Sequence, residues 1–241
     1  MTIPPSNILI VYSLASGGAS IAALFLAGYL PGLLTGLFLM IVAAVWAKRK
    51  GYPVGERSQL KTILRTFLEA LPSLLLLIIV IGGIVVGIFT ATEASAVAVL
   101  YCLALGFWYR EFKLGDMPDI LLHAVGTTAI VMLLIGTSMS MSWIMAFENI
   151  PQQITALLLS VSQNPVVILL IINMILLFVG IFIDMTPAVL IFTPIFLPVV
   201  QEMGMDPIHF GIIMVLNLSI GLCTPPVGSV LFVGVGVAGT S

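Results

Sequence analysis

The chain has 241 residues, of which 61% are hydrophobic and 7% charged. A soluble domain carries about 25% charged residues, so a water-soluble globule is excluded and an all-α, polytopic membrane protein is expected. The formal net charge of −2 leaves no footprint for nucleic acid. The apolar residues come in unbroken runs and do not alternate, which selects helices over a barrel.

In chain order, Pro4-Pro5 precedes a short apolar half-helix, and residues 21–46 read as the first span. Residues 47–70 then hold Lys48, Arg49, Lys50, Arg57, Lys61 and Arg65. Within this stretch, 58–69 has the spacing of an amphipathic helix lying in the membrane interface. Spans follow at 71–89, 94–109 and 120–147, all within a helical stretch taken as 71–164. Arg110 and Lys113 mark a second charged segment at 110–119. All eight basic residues lie in these two segments, which the positive-inside rule makes cytoplasmic. Thr90-Ala-Thr-Glu93 has the pattern of a capping box opening the helix at 94.

Beyond residue 148 simple spans end. Residues 165–183 are apolar, Asp184-Met185-Thr186-Pro187 interrupts, and 187–200 is apolar again. At about 1.5 Å per residue the second arm reaches only about 21 Å, short of a bilayer core. A re-entrant hairpin over 165–200 is therefore expected, with Asp184 as N-cap of its second arm. Asp206-Pro207 opens a helix that breaks at Cys223-Thr224-Pro225-Pro226 and resumes over 228–239, making 206–241 one broken span. Orphan backbone groups in lipid cost several kcal/mol each unless protein, water or an ion satisfies them.

Residues 3–17 echo 224–238 through the Pro-Pro pair and the half-helix after each. The topology makes the two half-helices run in opposite directions. Paired broken helices of opposite orientation point to an inverted-repeat transporter with its site between the breaks. Asn173 and Asn217 read as interhelical hydrogen-bonders, with Asn217 one turn from Gly221. An enzyme is not expected. Intramembrane aspartyl proteolysis needs two facing carboxylates where only Asp184 qualifies, and there is neither a paired histidine nor a HExxH motif.

Three runs carry a family resemblance: GIVVGIFTATEASAVAVLY at 83–101, VGIFIDMTPAVLIFTPIFLP at 179–198 and DPIHFGIIMVLNLSIGLCTPPVGSVLF at 206–232. Together they closely resemble the large membrane subunit of TRAP (tripartite ATP-independent periplasmic) transporters. The resemblance implies an elevator-type permease of the bacterial inner membrane. It implies sodium-coupled uptake of organic acid anions such as C4-dicarboxylates, sialic acid or keto and sugar acids. The implied partners are a periplasmic solute-binding protein and a small membrane subunit, and no cofactor is expected beyond coupling sodium. The family's large subunit extends on both sides of this stretch, so an internal fragment is expected, one not competent alone.

The resemblance places a sodium site between hairpin and break. The expected ligands are carbonyls of Gly221, Thr224 and Val227, with Gly180 near the hairpin tip, since hard cations take oxygen ligands. Asp184, Thr186, Pro187 and Pro225 are the expected substrate-cavity residues. Asp184 is also readable as a capping residue of the tip. A related divalent-anion/sodium symporter and a non-transporting membrane bundle are the alternatives. The tip reads Asp-Met-Thr where such symporters usually carry Ser-Asn-Thr, which favours TRAP.

Overall fold

The computed structural model describes residues 3–52, 59–162, 164–225 and 228–238. Among them there are ten α-helices, one 3-10 turn and no strand. The helices are α1 (Asn7–Ala15), α2 (Ile21–Lys50), α3 (Leu60–Val85), α4 (Ala91–Tyr109) and α5 (Met117–Phe147). They continue with α6 (Ile150–Val161), α7 (Pro165–Phe182), α8 (Met185–Glu202), α9 (Pro207–Leu222) and α10 (Ser229–Ala238). Six described helical stretches are long and apolar enough to cross a membrane. The chain is an all-α, multi-pass membrane protein.

The chain divides into two compact units, one of residues 29–122 and the other of 1–28 with 123–241. In the first, α3 packs on α4. The Tyr101 hydroxyl donates to the Pro72 carbonyl at 2.7 Å across that pair. The capping box of α4 forms as the sequence requires. The Glu93 amide donates to Thr90 Oγ1, and the Thr90 amide donates to the Glu93 carboxylate at 2.8 Å. One boundary differs. Helix α3 runs unbroken from Leu60 through Ala70 into the apolar stretch, so 58–69 is not a helix separate from 71–89. Pro72 ends nothing, because a proline inside a membrane helix is tolerated where neighbours re-satisfy the freed groups.

The charge pattern predicts that Lys113, exposed between α4 and α5, is cytoplasmic. Lys113→Cys, with Cys102 and Cys223 replaced by Ser, is expected to react with a membrane-impermeant maleimide only from the cytoplasmic face. Labelling of intact cells from the periplasm would invert the topology.

In the other unit α8 is the centre. The apolar stretch of α8 is 56% buried, whereas that running through α5 is 0% buried. Helices α1, α6 and α9 pack on α8, and α9 packs in turn on α7. The fully buried side chains include Tyr12, Ile172, Leu176, Val189, Phe210, Met214 and Leu218. Helix α6, a 12-residue element starting after left-handed Asn149 (φ 54°), has no counterpart among the expected spans. It buries Pro151, Thr155 and Leu158.

Interhelix contacts fix the directions. Asn217 of α9 bonds Asn173 of α7, and further along both helices Gly221 meets Gly180, so α7 and α9 run the same way. Ser219 of α9 approaches the Met185 sulfur (4.0 Å), while the Thr193 hydroxyl approaches the Met214 sulfur (3.4 Å), so α8 runs against α9. The chain therefore reverses between α7 and α8. Tyr12 of α1 donates its hydroxyl to the Pro207 carbonyl at the start of α9 (2.6 Å), while Ser6 and Asn7 lie beside Asp184. Hence α1 runs along α8 and against α9.

A reversal at this point is common to the expected re-entrant hairpin and to a pair of full spans, and the arm length expected for the second arm does not hold. Helix α8 has 18 residues, not 14, because it starts at Met185 and runs through Pro194 and Pro198 to Glu202. At about 1.5 Å per residue it is about 27 Å long. Pro187 falls in its first turn, where the missing amide has no helical partner to lose.

Candidate functional site: a hairpin tip against a helix break

Helix α7 ends at Phe182, and Ile183 (φ −115°, ψ 136°) and Asp184 (φ −63°, ψ 157°) are extended. Helix α9 ends at Leu222, and the next described helix starts at Ser229. Because α7 and α9 run together, both C-terminal ends come to the same level. Helix C-termini concentrate unpaired carbonyls and partial negative charge, which suits a hard cation.

The two ends touch through Gly180 and Gly221. A Cβ added at Gly221 would lie 2.7 Å from the Gly180 carbonyl carbon and 2.8 Å from its Cα. No other residue type fits between the backbones at this separation. Of the expected sodium residues, the structure thus brings Gly180 and Gly221 into contact and leaves Thr224 one turn beyond. Val227 lies outside the described residues.

The oxygens around Thr224 are not equivalent. Its hydroxyl donates to the Ile220 carbonyl at 2.7 Å, and its amide donates to the Gly221 carbonyl at 2.9 Å. The Gly221 oxygen is therefore partly engaged. The Thr224 and Leu222 carbonyl oxygens converge on Gly228, at 2.9 and 3.0 Å from where its Cβ would be. Gly228 has φ +34°, and any side chain there would fill this oxygen-lined recess. The sequence reading missed Leu222 and Gly228. The signal was a glycine closing the Pro-Pro break.

On the other side of the tip a cavity of about 210 Å³ is lined by Pro5, Ser6, Asn7, Ile8, Asp184, Met185 and Thr186. The N-termini of α1 and α8 meet at it, each with amides and a positive dipole end that favour an anion. Two expected substrate residues, Asp184 and Thr186, line it; Pro187 and Pro225 do not. The Pro5-Ser6-Asn7 wall was missed, although the Pro-Pro echo marked that end of α1.

The capping expectation for Asp184 needs correction. It occupies the N-cap position of α8, but its carboxylate makes no capping hydrogen bond. Asp206 caps α9 through the Ile208 amide at 2.8 Å, and Asn164 caps α7 through the Val166 amide at 2.9 Å. Asp184 is instead exposed and lines the cavity.

Comparison with known proteins decides the family. The model of the tripartite ATP-independent periplasmic transporter, DctM component, matches residues 1–241. The chain belongs to this TRAP family of large permease subunits. It is 64% identical over 97% of its length to YgiK of Salmonella typhimurium, covering 54% of that protein. It is 45% identical over 98% of its length to the isethionate TRAP transporter permease DctMQ of Oleidesulfovibrio alaskensis, covering 37% of it. To the C4-dicarboxylate TRAP large permease DctM of Pseudomonas aeruginosa it is 42% identical over 98% of the chain and 56% of that protein. The chain thus spans about half the length, or less, of these relatives. Membership in a TRAP permease family, with six apolar helices, makes it a multi-pass protein of the inner membrane rather than an enzyme.

Proposed function

We propose that this chain forms the ion- and anion-handling part of a sodium-coupled TRAP permease that imports an organic acid anion. The anion is delivered by a periplasmic binding protein to the permease and its small membrane subunit. The observation that carries this reading is the meeting of the α7–α8 tip with the α9 break, where Gly180 abuts Gly221. Sodium is cargo here. It is held by neutral oxygens at the ends of α7 and α9, including the Thr224 hydroxyl and the carbonyls of Leu222 and Thr224. The anion occupies the adjoining cavity between the N-termini of α1 and α8. Helix α1, which follows the first Pro-Pro, runs against α9, the arm leading into the second break; broken helices of opposite direction belong to an inverted-repeat design in which this module moves as an elevator against a scaffold. Asp184 opposes the anion electrostatically, so sodium beside the tip offsets the charge and couples the two ligands.

An inward sodium gradient supplies about 2.3 kcal/mol per charge per 100 mV in addition to its chemical term. In proteoliposomes holding a full-length family permease that carries this segment, with its small subunit and binding protein, radiolabelled succinate, isethionate and N-acetylneuraminate are the probes. Accumulation of one of them that requires external sodium is expected. Uptake that is equal when potassium replaces sodium would overturn the sodium coupling.

A further inference from the structure

Asn217 lies on α9, four residues before Gly221, in a helix whose other polar residues are His209 and Ser219. Its amide nitrogen donates twice across to α7, to the Asn173 main-chain carbonyl at 2.9 Å and to the Asn173 side-chain oxygen at 2.7 Å. Asn173 is held in turn, its own amide donating to the Leu169 carbonyl at 2.8 Å. This is a directed chain from α9 onto the backbone of α7.

The arrangement is poorly explained by packing stability. With both donors committed to α7, Asn217 Oδ1 is buried and has no hydrogen-bond partner among the described residues. An orphan buried acceptor forfeits much of what its partners gain, and apolar replacement of a buried polar pair is often neutral or stabilising. A leucine, like the buried Leu218 beside it, would fill the space without that penalty. What leucine cannot do is set a register. A pair of hydrogen bonds to one residue of α7, one of the acceptors being main chain, fixes how far α9 slides along α7 and how closely the backbones approach. That register puts Leu218, the next residue, and Gly221, one turn later, against Gly180.

We propose that Asn217 is a positioning residue for the cation site: through Asn173 it holds α9 on α7 in the register that aligns their terminal carbonyls. The inference rests on the preceding reading that sodium binds at these ends. Asn217 does not touch the ion. It acts on ion affinity by sparing the site the cost of assembling when sodium arrives. Loss of such a support lowers metal affinity by about 10–100-fold where outer-shell partners have been removed elsewhere.

The test uses a purified full-length family permease carrying this segment, in lipid nanodiscs. Its thermal midpoint is followed against sodium chloride, with choline chloride keeping ionic strength constant. The unaltered protein is expected to be stabilised by sodium, as binding to the folded state requires. Asn217→Leu is expected to keep or raise the midpoint without sodium, while the half-effective sodium concentration rises by about tenfold. The double variant Asn173→Leu/Asn217→Leu removes both partners together, so no lone polar group is stranded if the single variant folds poorly. It is expected to need as much extra sodium as the single variant, because the two residues act as one unit. Thr128→Ala is the control, since that exposed hydroxyl on α5 donates to Ala124 of its own helix at 2.8 Å; its sodium response is expected to be unshifted. If both asparagine variants keep the normal half-effective concentration, or merely lose stability at every sodium level, Asn217 is a packing residue and the proposal fails. If the unaltered protein gains nothing from sodium, the sodium reading itself falls and takes this inference with it.

Discussion

Gly221→Ala in a full-length permease carrying this segment is expected to abolish sodium-dependent uptake while leaving the protein inserted in the membrane. The added methyl carbon would sit 2.7, 2.8 and 3.1 Å from the carbon, Cα and oxygen of Gly180. All three atoms are backbone, so no rotamer relieves the clash and α7 and α9 must separate. Overpacking of this kind costs about 1–3 kcal/mol, which a helix pair with its whole apolar seam intact survives. The register of the terminal carbonyls does not survive it. Gly180→Ala is the milder partner variant, because its nearest contacts are 3.3 Å to Gly221 Cα, 3.3 Å to the Leu218 side chain and 3.4 Å to Leu218 Cα. It is expected to lower uptake without abolishing it. The check is initial uptake against sodium concentration at matched membrane abundance. A normal sodium curve for Gly221→Ala would mean that the close approach serves packing alone.

Legibility differed between the local and the tertiary features. The spans, the capping box at Thr90 and Glu93, the Asp206 cap and the break after Leu222 were readable, because each depends on neighbours in sequence. The reversal between α7 and α8 was readable from Asp184 and Pro187 together. Boundaries that depend on proline were not. Pro72, Pro194 and Pro198 all sit inside helices, and whether a membrane helix continues through proline depends on what surrounds it. Helix α6 was missed because its 12 residues are too few for a span, and its start at left-handed Asn149 has no capping bond. At the site, it was the family resemblance that led to the expectation of tip and break adjoining, and Gly180 does meet Gly221. The convergence of the Leu222 and Thr224 carbonyls on Gly228 was invisible, since main-chain oxygens carry no sequence signature. The wall supplied by Pro5, Ser6 and Asn7 depends on α1 lying along α8, a packing set by residues such as Tyr12 far from the cavity.

Thr224→Ala is expected to raise the sodium concentration needed for half-maximal uptake by about tenfold or more, with less effect on the rate at saturating sodium. The hydroxyl donates its proton to Ile220 in its own helix, so its lone pairs point away from that bond and remain able to face a cation. Contact between a neutral oxygen and a charge is worth about 1.5–3 kcal/mol when removed, and 1.4 kcal/mol is a factor of ten in affinity. The variant also takes one of two donors from the Ile220 carbonyl, which keeps the Cys223 amide at 3.1 Å, a structural change that must be separated from the loss of a ligand. Thr224→Ser does this, for serine keeps both the bond to Ile220 and the oxygen facing the ion while giving up only the methyl group. Serine is therefore expected to restore most of the sodium affinity, and valine, which keeps the shape without the oxygen, to behave like alanine. The measurement is a sodium activation curve for each variant at equal membrane abundance. If alanine and valine leave that curve unmoved, the Thr224 hydroxyl is not a ligand, and any sodium here is held by main-chain carbonyls alone. If serine fails as badly as alanine, the methyl packing and not the oxygen is what residue 224 contributes.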